Sequence, residues 1–296
     1  LLYENILVEM LAKEEIYSTS ENRIALSMLY YCEKKILDFF NIRKDNKNKK
    51  IIDNFEEYLE KKQKTLGFNI SSKQQKAVEL INYGEKTLFL IGYAGTGKST
   101  SSRAILELLE EIVNYDDIIA IALSGIASQR ISDTTGYNSS TIQSLLVKHK
   151  EKDFFPYKVI LLDEASMVNS VTFAQIISKI SDDTIFIIVG DDGQLPAIGA
   201  GNILADSIKY ELAPICKLTK IYRQNENQAI AVIANDIRKG ELPNYKEEYE
   251  DFKFVDVSIG NYYSMKNSLS QNEFSDMRGE NSDYILNNIL NIASNY

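Results

Sequence analysis

The chain contains the stretch Gly92-Tyr93-Ala94-Gly95-Thr96-Gly97-Lys98-Ser99, from which most of its architecture can be predicted. Before it lies the apolar run Thr87 to Ile91, which predicts a buried strand, and after it a helical pattern runs from Lys98 to Val113. Glycines at this spacing between a strand and a helix are typical of a phosphate-binding loop, whose backbone N–H groups surround phosphate oxygens. A chance glycine turn beside an exposed lysine is the alternative, and the flanking strand and helix disfavour it.

Strand-length apolar runs and helical segments alternate from residue 86 onward. The runs cover residues 87–91, 118–123, 158–162 and 184–189, and the helical segments cover residues 98–113, 127–132, 166–180 and 201–210. Runs that are apolar on both faces and separated by helices predict an α/β fold with a parallel sheet covered on both sides. Ligands of such sheets bind at the carboxyl ends of the strands, so the loops there are where a site is expected.

A small, mainly helical segment precedes this alternation. Helical spacing in residues 4–14 and 27–41, with short alternating runs near residues 16–17 and 24–26, predicts two helices around a β-ribbon, an arrangement similar to the end of a winged-helix unit. A charged helix is predicted over residues 51–66. The mostly basic run 43–50 is compatible either with phosphate contacts or with a solvated loop.

Composition excludes several classes of protein. The net charge of −9 argues against a broadly basic surface, although a local positive groove is enough to bind nucleic acid. Two cysteines, Cys32 and Cys216, and one histidine, His149, make a disulfide framework, a zinc site and histidine catalysis unexpected. No apolar run approaches the roughly 20 residues of a membrane span, and no signal-peptide pattern opens the chain. We therefore expect a cytoplasmic protein without a membrane partner.

Two later loops complete the expected chemistry. Asp163 and Glu164 end an apolar strand, where Asp163 suits Mg²⁺, mostly through water, and Glu164 suits the orientation or deprotonation of an attacking water. An acidic pair capping the next helix is the alternative. Gln194 follows the next strand, and its neutral amide can bond both a γ phosphate and the water. Lys98 is expected to reach the β and γ phosphates, and the Ser99 hydroxyl to ligate Mg²⁺.

In their order and their sequences, these motifs resemble superfamily I helicases. The segments Asp163 to Val168 and Gly190 to Pro196 are similar to the second and third motifs of the RecD-like family, which includes the exodeoxyribonuclease V alpha subunit. The resemblance implies a RecA-like P-loop NTPase domain that uses ATP and Mg²⁺. The loop residues expected to contact ATP are Gly92, Gly95, Thr96, Gly97, Lys98, Ser99 and Thr100.

The resemblance also implies further nucleotide contacts. The segment Ile70 to Val78 is similar to the adenine-recognising motif, with Gln74 as the amide that reads the base. The segment Leu218 to Gln224 is similar to the motif in which Arg223 approaches the γ phosphate and Tyr222 stacks on adenine. The alternatives are a helix-capping serine with surface glutamines, and an ordinary salt-bridged arginine.

Two short segments resemble the motifs that hold single-stranded DNA by its phosphates. They are Leu123 to Ser128 and Ser140 to Gln143, and they imply that Ser124, Gly125 and Thr141 contact DNA. Small hydroxyl residues also cap helices, so that alternative stays open. The chain departs from the usual motifs at three positions, which are Leu123 for proline, Ile126 for a basic residue and Gln143 for histidine.

Taken together, the resemblance implies an ATP-dependent DNA motor of 5′ to 3′ polarity, connected with DNA repair and recombination. Its expected organisation is an N-terminal helical segment at 1–66, a first RecA-like ATPase domain at 67–245, and a connecting segment at 246–296 toward a second RecA-like domain. Weak hydrolysis by residues 1–296 alone is expected, and a strand-separating hairpin in residues 147–157 would be small. An RNA-directed motor, a nucleotide switch that does not translocate, and a nuclease or helicase complex with other subunits all remain open.

Overall fold

The computed structural model describes residues 2–18, 23–66, 69–93, 95–220, 233, 236–237 and 240–242. Almost all of them belong to one compact unit, Leu1–Gln224. Its strands are β1 (Ile16–Ser18), β2 (Ile24–Leu26), β3 (Thr87–Gly92), β4 (Ile118–Ala122), β5 (Ser139–Thr141), β6 (Val159–Leu162), β7 (Ile185–Gly190) and β8 (Ile215–Leu218). Its α-helices are α1 (Leu2–Ala12), α2 (Ser27–Lys44), α3 (Phe55–Leu66), α4 (Ser72–Asn82), α5 (Lys98–Leu109), α6 (Gly125–Thr135), α7 (Ile142–Lys148), α8 (Ser170–Ile177) and α9 (Ile203–Lys209).

The described strands form a six-stranded sheet in the order β5-β4-β6-β7-β3-β8, with every neighbouring pair parallel. The predicted α/β fold with a parallel sheet is therefore confirmed. Every residue of β3, β4, β6 and β7 is buried, which is why these four strands read as continuous apolar runs. A separate antiparallel pair, β1 with β2, forms the predicted ribbon.

Helices cover both faces of the sheet and create two core layers. On one face α2, α7, α8 and α9 pack against the strands, and Phe40, Phe89 and Phe186 are among the largest buried side chains there. On the other face α4, α5 and α6 pack against Leu88 and Leu90. The glycine loop leads directly into α5, so it lies at the start of a helix on the face of the sheet that α4 and α6 also cover.

Several predicted boundaries are wrong for identifiable reasons. The strands β5 and β8 lie at the two edges of the sheet and were not predicted. The helix α3 begins at Phe55 and not at Ile51, because the Asn82 side chain accepts from the backbone N–H of Ile52 and donates to its carbonyl, which holds that stretch extended. The predicted helix 166–180 is divided into a 3₁₀ turn at Ala165–Met167 and α8, whose N-cap is Asn169.

Arg43 is a structural residue at the edge of the sheet where the strands begin. It is 5% exposed, and its guanidinium donates to Thr87 Oγ1 at 2.8 Å, Lys86 O at 3.0 Å and Ser181 O at 3.2 Å, and also to Thr184 O. Burial lowers the pKa of Arg43 to about 10. Neither sequence-based alternative for the start of the basic run, a phosphate contact or a solvated loop, describes this arginine.

Other expectations concern the periphery. Within the part of the chain that the structure describes, no helix is long and apolar enough to cross a membrane. Residues 149–158, all of them described, form turns and contain no strand. The connecting segment expected at 246–296, with its predicted strand near residues 252–257, lies outside the described residues. The division of the chain into three segments stays a prediction.

Candidate active site

The glycine loop has the backbone geometry that its sequence predicts. Gly95 and Gly97 adopt φ angles of 80° and 84°, a left-handed conformation that glycine takes without steric cost. A Cβ on Gly92 would lie 2.4 Å from Thr96 Oγ1, so a larger residue would displace that hydroxyl. Thr96 is buried and donates to Tyr93 O at 2.8 Å, which closes the loop from within.

Lys98 lies at the first position of α5 with its ammonium folded onto the loop. Its Nζ donates to Gly92 O at 2.5 Å and to Tyr93 O at 3.0 Å. Ser99 and Thr100, in the same first turn, line the adjoining cavity with Lys98. A cation and a helix N-terminus thus face the same space, which is the arrangement that binds phosphate groups.

Asp163 and Glu164 follow the last residue of β6, as predicted. Burial raises the pKa of the Asp163 carboxyl. The hydrogen bond that this carboxyl accepts from Glu164 N at 2.9 Å and the charges of Lys98 and Arg130 act in the opposite direction and are smaller. Burial and the neighbouring Asp163 raise the pKa of Glu164. Glu164 has a φ of 51°, a left-handed conformation that is uncommon for a residue with a side chain.

Gln194 follows β7 and is held by a side chain from the preceding acidic loop. Its Oε1 accepts from Ser166 Oγ at 3.1 Å, and its backbone N–H donates to Asp191 O at 3.3 Å. The Asp191 carboxylate accepts from Gly193 N at 3.0 Å, which shapes the turn. The second and third motifs are therefore joined by a direct hydrogen bond.

These groups surround one cavity of about 340 Å³ at the carboxyl ends of the central strands. The expected nucleotide-site residues that line it are Gly95, Gly97, Lys98, Ser99, Thr100, Asp163, Glu164 and Gln194. Residues that the sequence analysis did not select also line it, and these are Tyr93, Ser102, Arg130, Ile131, Thr134 and Val189. A single cavity thus brings together residues that lie up to about a hundred positions apart in the sequence.

The residues present fit a magnesium nucleotide. The Asp163 carboxylate and the Ser99 hydroxyl are hard oxygen ligands on the same cavity, and Mg²⁺ in nucleotide sites commonly takes one or two protein ligands together with phosphates and water. Among the described residues no group of three or more histidine, cysteine or acidic side chains could hold a metal ion by itself. A site of this kind would therefore hold Mg²⁺ together with the nucleotide.

Gln74 occupies a structural position in addition to its predicted one. With Ser71 it forms a capping box at the start of α4, in which Gln74 Oε1 accepts from Ser71 N at 2.9 Å. Its Nε2 donates to Gly97 O at 3.4 Å, which links α4 to the glycine loop. Gln74 is 4% exposed, so it is not the surface glutamine of the alternative interpretation. Recognition of adenine by this amide stays a prediction.

The predicted DNA-contacting residues lie at the starts of two helices that follow one another in the chain, α6 and α7. Ser124 caps α6 by accepting from Ala127 N at 3.1 Å, and Thr141 caps α7 by accepting from Ser144 N at 3.1 Å. Gly125 is exposed, and a Cβ there would meet nothing within 4 Å. Both hydroxyls therefore have the capping role that the alternative predicts, and a role in DNA binding stays a prediction.

Tyr222 and Arg223 lie outside the described residues. Arg130 is a charged cavity residue that the sequence motifs did not indicate. The available signal was the position of Arg130 in α6, beside the buried positions Ala127 and Ile131. That pattern alone does not show which strand end the helix faces.

Comparisons with known proteins agree with the predicted resemblance. A sequence family described as an AAA domain matches residues 69–258. The ATP-dependent RecD2 DNA helicase of Deinococcus radiodurans is 30% identical over 183 residues, which are 60% of this chain and 25% of that protein. The RecBCD enzyme subunit RecD of Mycolicibacterium smegmatis is 26% identical over 205 residues, which are 59% of this chain and 37% of that protein. The chain thus spans well under half the length of these relatives.

Among solved structures, the Pif1 helicase of Candida albicans aligns with a TM-score of 0.44 and 23% sequence identity. The alignment covers 59% of this chain and 45% of that one.

Proposed function

Because the chain belongs to the AAA domain family over residues 69–258 and its motifs resemble those of RecD-like superfamily I helicases, we propose that it is the ATP-hydrolysing motor domain of a DNA helicase. The observation that carries the proposal is the shared cavity. Lys98, Asp163, Glu164 and Gln194 come from three separate loops and line the same space, in the order and chemistry that nucleotide hydrolysis requires.

The cavity residues have distinct roles in this proposal. Lys98 leaves the carbonyls of Gly92 and Tyr93 and donates to the β and γ phosphates, while the N–H groups of the loop hold the same oxygens. Ser99 and Asp163 would hold Mg²⁺, which would supply positive charge next to the phosphates.

Hydrolysis itself is assigned to Glu164 and Gln194, which both line the cavity. Glu164 accepts a proton from the attacking water, and its raised pKa brings it nearer to the operating pH. Gln194 bonds the water and the terminal phosphate through its amide. Since Ser166 already holds that amide, a change at the phosphate can pass to the second motif through one hydrogen bond.

Single-stranded DNA is the proposed partner, in contact with Ser124, Gly125 and Thr141. Ser124 and Gly125 follow β4, and Thr141 is the last residue of β5. Since these two parallel strands are neighbours in the sheet, the starts of α6 and α7 lie at the same end of the strands as the cavity. The exposed Gly125 leaves room for a phosphate to approach its backbone. Polarity of 5′ to 3′ and work within a larger nuclease or helicase complex are carried over from the resemblance alone.

ATP hydrolysis with different nucleic acids tests this function. We expect hydrolysis by residues 1–296 alone to be weak with or without nucleic acid. In a longer chain that includes the second RecA-like domain implied by the resemblance, turnover should be slow in buffer, rise with single-stranded DNA, and be absent in Lys98→Ala. The matched control is Lys76→Ala, because Lys76 is an exposed lysine of α4 that pairs with Glu79 at 2.8 Å.

The other outcomes select the other functions. RNA that stimulates more strongly than DNA of the same length would favour an RNA-directed motor, because contacts to the 2′-OH distinguish the two sugars whereas phosphate contacts do not. Turnover that is indifferent to any nucleic acid would contradict the motor and favour a nucleotide switch.

A further inference from the structure

Arg130 lies on the stripe of α6 that faces the nucleotide cavity. Ala127 and Ile131, four residues apart, are buried, and Arg130 and Thr134, also four apart, line the cavity on the adjacent stripe together with Ile131. The helix is held in place by Ser128 Oγ, which donates to Ser139 Oγ of β5 at 3.1 Å. The direction of Arg130 is therefore set by packing on both sides of the helix.

The order of the strands places Arg130 at the end of the cavity away from Gln74. Helix α6 follows β4, whose neighbour is β6, and β6 ends at Asp163 and Glu164. Gln74 lies on α4, which covers the same face of the sheet but packs beside β3 and β8, toward the opposite edge. A nucleotide with its base near Gln74 and its β phosphate at the glycine loop would extend its terminal phosphate toward Arg130.

The guanidinium of Arg130 is available for a ligand. Across residues 95–220 and the other described segments, it makes no hydrogen bond and no ion pair. Thr134, its neighbour on the stripe, uses its hydroxyl on the carbonyls of Arg130 and Ile131. Among the described residues, Arg130 and Lys98 are the two cationic side chains that line the cavity, and the Lys98 ammonium donates to Gly92 O and Tyr93 O of the glycine loop.

We propose that Arg130 is a nucleotide-binding residue that donates hydrogen bonds to the terminal phosphate of ATP. This inference rests on the proposed function, because it requires a nucleoside triphosphate in the cavity. A guanidinium presents a planar set of donors that matches two phosphate oxygens, whereas an ammonium acts as a point charge. Because ADP lacks the terminal phosphate, a contact from Arg130 would let this domain bind ATP more tightly than ADP.

The test compares the affinities for ATPγS and ADP, measured by calorimetric titration with Mg²⁺. In Arg130→Gln we expect ATPγS to bind about tenfold more weakly, which corresponds to one lost charge-assisted contact, while the affinity for ADP stays within about twofold. Arg130→Lys should fall between the two proteins. Arg103→Gln is the matched control, since Arg103 is an exposed arginine of α5 that pairs with Glu107 at 2.8 Å, away from the cavity.

The melting temperature of Arg130→Gln and the nucleotide affinities of Lys98→Ala separate a failure of this inference from a failure of the proposed nucleotide site. Because Arg130 is exposed, the melting temperature of Arg130→Gln should stay within about 3 °C of wild type. Equal loss of ATPγS and ADP affinity, or no loss of either, would overturn the role of Arg130 as long as Lys98→Ala weakens both ligands. If Lys98→Ala weakens neither ligand, the proposed nucleotide site fails, and this inference fails with it.

Discussion

Arg43→Met is expected to lower the free energy of unfolding by about 3 kcal/mol, because each buried carbonyl left without a donor costs about 1–3 kcal/mol. The substitution keeps an unbranched apolar stem beside Phe39, over whose ring the guanidinium carbon lies at 4.9 Å. It removes the donors to Thr184 O and Thr87 Oγ1 at the starts of β7 and β3, whereas Lys86 O keeps the backbone N–H of Phe186 at 2.8 Å. Removal of the Arg43 charge offsets part of the loss in unfolding free energy, because burial of that charge is itself unfavourable.

Urea denaturation followed by circular dichroism measures this effect. The matched control is Lys44→Met, because Lys44 is the next residue along the same helix and is exposed. Its unfolding free energy should change by no more than about 0.5 kcal/mol. If the Arg43 variant lost less than about 1 kcal/mol, the guanidinium would be making no net contribution to holding the strands together.

Glu164→Gln is expected to reduce DNA-stimulated ATP hydrolysis by a factor of about 10²–10⁴, which is the usual contribution of a general base. The glutamine side chain has nearly the same shape, so the left-handed backbone at this position should be unchanged. ATP should still bind, because the loop, Lys98 and Asp163 are intact and one carboxylate that repels the phosphates is gone.

Single-turnover phosphate release and nucleotide titration together separate the chemical step from binding. The control is Glu151→Gln, because Glu151 is an exposed acidic residue in the turn after α7 and does not line the cavity. Hydrolysis by Glu164→Gln within threefold of wild type, with unchanged ATP affinity, would show that another group activates the water.

The central strands and the three loops that follow β3, β6 and β7 could be predicted because their signals are local. A strand buried on both faces is a continuous apolar run, and the glycine loop combines two left-handed glycines with the start of a helix. The edge strands gave no such signal. β5 consists of Ser139, Ser140 and Thr141, and β8 alternates buried and exposed residues around Lys217.

Residues whose roles depend on packing could not be assigned from sequence. Arg43 stands at the start of a basic run and looks like a surface residue, yet it is buried because α2 crosses the starts of β3 and β7. In the sequence, Arg130 is simply one charged residue of an amphipathic helix. Only the pairing of β4 with β6 shows that it lies at the cavity. His149 is a third case, since it is buried beside Phe155 and Tyr157, where burial lowers its pKa.

The capping hydroxyls show why motif resemblance and structure must be combined. Ser124 and Thr141 satisfy backbone N–H groups of their own helices, as any well-placed hydroxyl does. A DNA phosphate would have to share or replace those bonds. The DNA contacts are therefore a proposal that the sequence suggests, while the ATP site is supported by residues that converge on one cavity.

A calorimetric titration with Mg-ATPγS of the wild-type chain and of Lys98→Ala shows whether this cavity is the nucleotide site. We expect saturable binding at one site per wild-type chain, lost when Mg²⁺ is removed. In Lys98→Ala we expect an affinity at least about a hundredfold lower, because loss of a charged donor to two phosphates costs about 3 kcal/mol. If the two proteins bound Mg-ATPγS with equal strength, the cavity that Lys98 lines would not be the nucleotide site.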